Sequence, residues 1–259
     1  MNYGLNISAS GALSAMYRQD VLSNNLANIN TVGFKPDQPS VRYRPAVREE
    51  DGLSFMPSND LLEKLGGGVQ VVAPRTKFEQ GTIELTSDPL DLAIKGDGFF
   101  VVRSETSDGA DRLRLTRDGK FTIGSNGQLV TSSGGLPVLD SQNRPIEVSR
   151  SGKITIDADG TLRQDGAEIA RLRLVEFADP SQLRKVGSNL FAAPAGAMAN
   201  ARPATGNIVQ GAVERASIDE IRTMLDIQDA ARTASSNLNM IRYQDQMNER
   251  AIAQLGRIA

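Results

Sequence analysis

The chain contains no cysteine, no histidine and no tryptophan. Without cysteine it has no disulfide, thiolate zinc site or cysteine nucleophile. Without histidine it lacks the commonest general base and the commonest transition-metal ligand. Carboxylate pairs and Ser–Lys arrangements remain available, but the composition disfavours an enzyme. We expect no catalytic residues, no cofactor and no metal.

Clustered positive charge and long apolar runs are missing too. The 29 Lys and Arg are balanced by 31 Asp and Glu, without a basic block, which disfavours a nucleic-acid partner. No apolar run approaches the roughly 20 residues that span a bilayer, so we expect no membrane-spanning segment. The N-terminus does not resemble a secretory signal, because polar residues interrupt it and its first basic residue is Arg18. These features predict a protein that is soluble or is exported without a cleaved leader.

The N-terminal segment has the periodicity of an amphipathic helix of about 25 residues. Its apolar positions recur at helical spacing at Leu5, Ala9, Ala12, Met16, Leu22 and Leu26. Gly4 and Gly11 weaken this helix by about 1 kcal/mol each relative to alanine. The pattern nevertheless predicts a helix with one apolar face.

The C-terminal segment predicts a longer helix with heptad spacing. It has no proline or glycine from Ser217 to Leu255, and Ser217 with Glu220 fits a capping box. With Met224 at position a, the apolar a and d positions are Met224, Ile227, Ala231, Ala234, Leu238, Ile241, Ile252 and Leu255. Both helices could pack on a globular core. A narrow a/d pattern favours instead pairing with another long helix, either within the chain or in copies of it.

The middle of the chain, residues 69 to 177, predicts an antiparallel β domain rich in hairpins. Short runs with β-branched residues or alternating polarity indicate the strands, among them VQVVA, TIELT, LDLAI, FFVV, LRLT and RLRLVEF. Asp-Gly and Asn-Gly pairs, which supply positive φ angles in tight turns, lie at 97–98, 108–109, 118–119, 126–127, 159–160 and 165–166. The overall prediction is an α+β chain with helices at both ends.

An internal repeat lies within this region. TRDGKFTIGSNGQL (116–129) aligns with SRSGKITIDADGTL (149–162) at an offset of 33 residues. The alternation predicts that Phe121 and Ile123, like Ile154 and Ile156, face one side of their strands. We therefore expect two similar hairpins in one sheet or barrel.

Two segments without clear periodicity flank the β region. We predict terminal helices at 1–30 and 215–259, extended connecting regions at 31–75 and 192–214, and a β domain at 76–191. The glycines at 66–68 lack the Lys-Ser/Thr partner of a phosphate loop. The aspartates of the β region do not match an EF-hand, and most belong to turns. These stretches predict neither a small-molecule substrate site nor a calcium site.

The stretch NNLANINTVGFK (24–35) places four asparagines within seven positions. Asn24, Asn25 and Asn28 can bond to backbone groups at the end of the first helix. Gly33 can adopt a positive φ and Phe34 can anchor the chain beyond it. Ending one helix requires a single cap. Four asparagines are therefore more than the end of this helix needs.

This stretch resembles the N-terminal signature of the bacterial flagellar rod and hook axial proteins. The resemblance implies that its asparagines also form a junction between subunits. The segments TKFEQGTIELTSDPLDLAIKGDGFFVV (76–102), LTRDGKFTIGSNGQLVTSSGGLPVL (115–139) and VGSNLF (186–191) are similar to the same family. The chain departs from the family in its last helix, where VERASIDEI (213–221) and ARTASSNL (231–238) replace the usual motifs. The length and the single β domain are those of a rod protein, and residues 146–191 resemble the proximal type more than the distal type.

The resemblance implies a structural subunit that leaves the cytoplasm through the flagellar type III export apparatus, without signal cleavage. It implies a coiled-coil inner domain formed by the terminal helices, and a helical tube that crosses the periplasm and transmits torque. The expected partners are copies of the chain and other rod and hook axial proteins. Three alternatives are a hook or hook-associated protein, a surface adhesin or phage-tail-like protein, and a carboxylate-dependent hydrolase.

Overall fold

The fold is α+β, with a helix at each end of a chain of short antiparallel strands. The computed structural model describes residues 3–46, 49, 52, 55, 66–104, 112–149, 151–194 and 196–255. Helix α1 is Tyr3–Ala27 and helix α2 is Glu220–Leu255, which confirms both predicted helices. Among the described residues, no helix is long and apolar enough to cross a membrane.

The strands are short and follow the predicted runs. In chain order they are β1 Asp37–Tyr43, β2 Val69–Thr76, β3 Ile83–Leu85, β4 Leu92–Lys95, β5 Phe99–Arg103, β6 Leu113–Thr116, β7 Phe121–Ile123, β8 Leu129–Thr131, β9 Ile154–Ile156, β10 Thr161–Gln164, β11 Ala167–Arg171, β12 Leu174–Glu176, β13 Arg184–Gly187, β14 Leu190–Ala192, β15 Arg202–Pro203, β16 Asn207–Gln210 and β17 Ala212–Glu214. The largest sheet has the order β13-β14-β6-β5-β12-β15, and small sheets pair β1 with β2, β3 with β17 and β4 with β16.

Strand β5 is buried on both faces, which explains its uninterrupted apolar sequence. Phe100 and Val102 belong to one core cluster, with β4, the repeat hairpins and Ile208. Phe99 and Val101 belong to a second cluster. Since side chains alternate along a strand, β5 separates the two cores.

The two copies of the repeat fold as equivalent hairpins, as predicted. β7 pairs with β8, and β9 pairs with β10, both antiparallel. The Gly124 amide donates to the carbonyl of Gln128, and the Asp157 amide donates to that of Thr161, which is the same bond shifted by the repeat. The apolar residues of these strands share one core cluster. The two hairpins lie in separate small sheets, so the alternative of one common sheet is wrong, while that of a barrel stays a prediction.

The predicted positive φ is found at four of the six Asp-Gly and Asn-Gly pairs, at Gly98, Gly127, Gly160 and Gly166. Gly119 is an exception: it lacks a positive φ, and a Cβ there would collide with the carbonyl oxygen of Leu92. Close approach of two backbone segments therefore requires glycine at that position. The pair at 108–109 lies outside the described residues.

The chain divides into two compact units. The helical unit contains the N-terminal segment through Ala27, Asp37–Arg75 and the chain from Asp219 onward. The β unit contains Asn28–Pro36 and Thr76–Ile218. The chain therefore passes from one unit to the other four times, and residues 28–36 are a short insertion into the β unit.

The predicted connecting regions contain paired strands. Residues 31–75 include β1 and β2, which pair with each other. Residues 192–214 include β15, β16 and β17, which pair with β12, β4 and β3. The sequence pattern indicated β2 through VQVVA, whereas β15, β16 and β17 escaped it because two to four residues are too few to show alternation.

Helix α2 begins later than the sequence predicted. Its N-terminal cap is Asp219, whose Oδ1 accepts the amide hydrogen of Arg222 at 3.0 Å. The hydroxyl of Ser217 is buried, without a hydrogen-bond partner among the described residues. The capping box of Ser217 and Glu220 is therefore wrong, because an aspartate nearer the first turn caps the helix.

Candidate assembly surfaces

Helices α1 and α2 contact each other where α1 carries glycine. A Cβ added at Gly4 would lie 2.8 Å from Nε2 of Gln244, and one added at Gly11 would lie 3.0 Å from Oδ1 of Asn237. Both pairs are seven residues apart along their helices, so the contact recurs every two turns. Glycines that weaken an isolated helix thus leave room for amide side chains of the partner helix.

The pairing of the two helices is antiparallel. Residues early in α1 meet residues late in α2, whereas Arg18, further along α1, lies 3.4 Å from Asp226 near the start of α2. Both side chains of this ion pair are substantially exposed, so its contribution to stability is small. Packing at small residues, including the buried Ala12 and Ala15, holds the pair together.

The buried line on α2 keeps a predicted d position, Ala234, but passes through the residues that precede the predicted a positions. Thr223, Ala230 and Ala234 are buried, whereas Met224 and Leu238, predicted at a positions, are 49% and 38% exposed. Closely approaching helices leave no room for Met or Leu at these buried positions, whereas the glycines of α1 leave room for amide side chains. Residue size therefore contributes to this packing, and hydrophobicity alone misplaced the a positions.

The predicted interface residues fall into three groups. Those buried within the chain are Ala12, Asn25, Gly33, Phe34 and Ala234. Those partly buried are Leu5, Ala9, Leu22, Leu26, Asn28, Ile227, Ala231 and Ile241. Those exposed are Met16, Asn24, Met224, Leu238 and Ile252, while the side chain of Leu255 lies outside the described residues. Gly33 and Phe34 belong to the β unit rather than to the helical unit.

Helix α2 exposes large apolar side chains on more than one side. They are Ile221, Met224, Leu225, Leu238, Met240, Tyr243, Met247 and Ile252. Leu225 and Tyr243 are each nine residues from the buried Ala234, which is two and a half turns, so both lie on the opposite side of the helix. Apolar residues around a whole helix are typical of one that is covered on all sides.

Asn25 fixes the start of β1 to the end of α1. Its amide nitrogen donates to the carbonyl of Asp37 at 2.7 Å, and its carbonyl oxygen accepts the Asp37 amide at 2.9 Å. The side chain is 4% exposed. The asparagine thus replaces a backbone partner at the end of a strand.

Replacing Asn25 by alanine should destabilise the helical unit by about 1–3 kcal/mol, because the two hydrogen bonds between its buried side chain and the Asp37 backbone are lost. The exposed neighbour Ser23, changed to alanine, is the control and should alter stability by less than about 0.5 kcal/mol. Urea unfolding followed by helical circular dichroism measures both changes. Equal stability of the two variants would contradict the role of Asn25.

The other asparagines of this stretch also act within the chain. The carbonyl of Asn28 accepts the Thr31 amide at 3.0 Å, and its side chain accepts the Thr31 hydroxyl at 3.2 Å. The side chain of Asn30 accepts a hydrogen bond from Arg215 at 3.1 Å. Asn24 is exposed on the last turns of α1. Asn25, Asn28 and Asn30 thus have hydrogen-bond partners within the chain, and the junction between subunits stays a prediction.

Residues 33–36 are buried in the β unit. Gly33 has the predicted positive φ, 66°, and its amide donates to the carbonyl of Glu214 at 2.7 Å. Phe34 is 8% exposed, and the Lys185 ammonium lies 4.5 Å from the centre of its ring. Phe34 is therefore an anchor, as predicted, with a cation–π contact in addition.

Next to this anchor lies a buried ionic cluster. Lys35 Nζ is 2.6 Å from Glu214 Oε1, and Arg117 Nη1 is 3.2 Å from Glu214 Oε2. Lys35 also donates to the carbonyl of Glu79 at 2.7 Å, and Glu214 Oε1 accepts the Gly81 amide at 2.8 Å. Lys35 and Glu214 are each 1% exposed and Arg117 is 4% exposed.

Burial lowers the pKa of both cations in this cluster. Desolvation is the dominant cause for Lys35 and for Arg117, and the charge and hydrogen bonds of Glu214 oppose it. Two cations share one carboxylate, so replacing Glu214 would leave uncompensated buried charge. Sequence patterns missed these residues, because three single charges far apart in the chain form no motif. The only signal of a buried charge was the position of Lys35 next to the predicted anchor Phe34.

Among the described residues, no group of three or more acidic side chains lies close enough to hold a metal ion. The described residues instead form two paired helices with exposed apolar side chains and a β unit with two buried clusters. Apolar side chains exposed on several sides of a helix are typical of structural subunits that pack against other chains.

Comparison with known proteins agrees with this class. A family model described as flagella basal body rod protein matches residues 5–35, and one described as flagellar hook protein FlgE/F/G D1 domain matches residues 93–166. A flagellar basal-body rod protein FlgG of Borreliella burgdorferi is 30% identical over 92% of this chain and 93% of its own. A flagellar basal-body rod protein FlgF of Caulobacter vibrioides is 30% identical over the whole of both chains.

The chain belongs to the family of flagellar basal-body rod proteins. It is thus a structural protein of the flagellar basal body, as the resemblance of its signature stretches implied. Relatives with both names are equally identical to it, including a FlgF protein of Rhizobium meliloti at 30% over 99% of each chain. The preference for the proximal type stays a prediction.

Proposed function

We propose that the chain is a rod subunit that assembles through α1 and α2 into a helical tube, which transmits torque from the motor to the hook. The exposed apolar side chains on opposite sides of α2 carry this proposal. Its partners are copies of itself and other rod and hook axial proteins. It has no catalytic role, and it reaches its place through the type III export apparatus.

The proposal follows from the apolar side chains of α2 that α1 does not cover. Burying a large aliphatic side chain contributes roughly 1.5–3 kcal/mol relative to leaving it exposed. Leu225 is 61% exposed, Met247 63% and Ile252 71%, so most of this stabilisation is not realised within one chain. Neighbouring subunits packed around α2 would supply the missing burial in a coiled-coil inner domain.

The predicted interface thereby separates into two parts. Ala12, Ala234 and their small neighbours pack α1 against α2 within one subunit. Met16, Met224, Leu238 and Ile252 face outward and would contact other subunits. Asn24 joins them as a polar contact at the junction. This division refines the single surface that the heptad pattern suggested.

Replacing Leu238 by aspartate should abolish incorporation into rods and motility, while the purified chain keeps its helical content. The carboxylate would be desolvated at a subunit contact, at a cost of several kcal/mol. The adjacent Asn239→Asp is the matched control: it adds the same charge at a position that is already polar and exposed. Complementation of a deletion strain, with swimming assays and electron microscopy of basal bodies, measures the effect.

Normal motility of the Leu238→Asp strain would contradict the assignment of this face. The deletion strain itself separates the alternatives. A rod subunit leaves cells without rod and hook, a hook protein leaves the rod in place, and an adhesin leaves the basal body intact.

A further inference from the structure

Residues 28–36 dock in the β unit through contacts with strands far away in the chain. The Pro36 carbonyl accepts the Lys77 amide at 2.8 Å, and the Lys35 carbonyl accepts a hydrogen bond from Lys185 Nζ at 2.6 Å. The Val32 carbonyl accepts a hydrogen bond from the Asn189 side chain. A nine-residue insertion is therefore held by hydrogen bonds along its second half.

Glu214 makes the most unusual of these contacts, because its backbone and its side chain both bind the insertion. Its carbonyl accepts the Gly33 amide, and its carboxylate accepts Lys35 Nζ, two residues further on. Glu214 is also the last residue of β17, where it pairs with Ile83 of β3. The same residue thus completes a strand pair and receives the N-terminal segment.

Arg117 ties this contact to the rest of the β unit. Its Nη2 donates to the carbonyl of Gly96 at 2.9 Å, and its guanidinium lies 5.3 Å from the centre of the Phe99 ring. Its Nε is buried without a hydrogen-bond partner among the described residues. A buried N–H group without a partner destabilises the fold. Its presence here indicates that the guanidinium charge of Arg117 has a role beside Glu214.

An ordinary buried ion pair would contribute little net stability, since desolvation offsets the attraction. The sequence positions indicate a more specific role. Lys35 lies eight residues after the end of α1 and two before β1, whereas Glu214 lies six residues before α2. The cluster therefore joins the chain that leaves the first helix to the chain that enters the last one.

We propose that Lys35, Glu214 and Arg117 form an ionic latch that makes the docking of residues 28–36 and of β17 a single cooperative step. Neither segment then keeps its place in the β unit without the other. Because coupling between two sites is reciprocal, loosening either segment must loosen the other. The latch is a property of the folded monomer and does not depend on the proposed place in the rod.

The test is amide hydrogen exchange on the purified full chain with Lys35→Met. Glu214 and Arg117 remain as a balanced pair, so the β unit should stay folded. We expect exchange at residues 32–36 to accelerate at least about tenfold, and exchange at residues 212–215 to accelerate by a similar factor. Exchange in β5 should stay close to that of the unchanged protein.

Lys185→Met tests the coupling with the latch intact. Lys185 donates to the Lys35 carbonyl and lies over the Phe34 ring, so its loss loosens residues 32–36. It should accelerate exchange at residues 32–36 and, through the latch, at residues 212–215, whereas in the Lys35→Met background it should accelerate residues 32–36 alone. The reciprocal variant, Glu214→Gln, should accelerate both segments more strongly than Lys35→Met, because it leaves two cations unpaired.

Unchanged exchange at residues 212–215 in Lys35→Met would overturn the latch, whatever happens at 32–36. If Lys35→Met does not fold, Lys35→Arg keeps the charge and should show smaller accelerations in both segments. A change confined to residues 32–36 in that variant would overturn the proposal equally. Failure of the latch would leave the assembly proposal untouched, since that proposal is tested by rods and motility.

Discussion

Replacing Gly33 by alanine should lower the free energy of unfolding of the β unit by about 3 kcal/mol or more. Gly33 has a φ of 66°, a conformation that costs an L-residue roughly 1–2 kcal/mol. A Cβ there would also collide with the backbone of Arg117 and Asp118. Backbone cannot rotate away as a side chain can, so the segment around Gly33 must shift and strain its hydrogen bond to Glu214.

Gly135 is a close control for this prediction. Its φ is 64°, and a Cβ added there would have no neighbour within 4 Å. Gly135→Ala should therefore show the conformational effect alone, about 1–2 kcal/mol. Urea unfolding, monitored by amide exchange in β5 and β6, measures the free energy of unfolding of both variants. If both lose the same stability, close approach at Gly33 is not the reason for glycine.

Periodicity predicted the elements that make local contacts. Helix α1, helix α2 and the hairpins of the repeat all satisfy their backbone hydrogen bonds within short stretches of chain. Their signals, helical spacing and Asn-Gly or Asp-Gly turns, therefore lie in the sequence beside the elements themselves. The glycine and the aromatic residue that follow the end of α1 likewise predicted the positive φ of Gly33 and the anchoring of the chain by Phe34.

Long-range contacts escaped the same reasoning. Lys35 and Glu214 are 179 residues apart, and Arg117 and Glu214 are 97 apart. A single charge in a polar stretch is normally solvated, so nothing local distinguishes these residues from exposed ones. The strands β15 to β17 escaped for a related reason, because their partners rather than their own sequences make them strands.

The facing surfaces of the helices illustrate a third limit. The heptad pattern selected Met224 and Leu238 because they are apolar, whereas Thr223 and Ala230 are buried because they are small. A hydrophobic pattern includes both the residues that are buried within one chain and those that would be buried between chains, and it does not distinguish them. A helix covered on several sides thus shows a pattern that no single partner explains.

The repeat supports the second large prediction, which concerns the core of the β unit. Leu129 and Leu162 occupy equivalent positions of the two hairpins, and each is fully buried in the same cluster. Leu129→Ala and Leu162→Ala should each destabilise the β unit by about 2–5 kcal/mol, from lost burial and the cavity left behind. Because the hairpins are equivalent, the two losses should agree within about 1.5 kcal/mol.

The double variant should lose about the sum of the single effects, unless the two sites relax into each other. That sum is comparable to the whole stability of a typical domain, about 5–15 kcal/mol, so the double variant should be largely unfolded at 37 °C. Thr122→Ala, at an exposed position of β7, is the control and should change stability by less than about 0.5 kcal/mol. Thermal and urea unfolding followed by circular dichroism distinguish these cases. A loss below about 1 kcal/mol for either leucine would show that its hairpin does not contribute to the shared core, and that the sequence repeat is not a structural one.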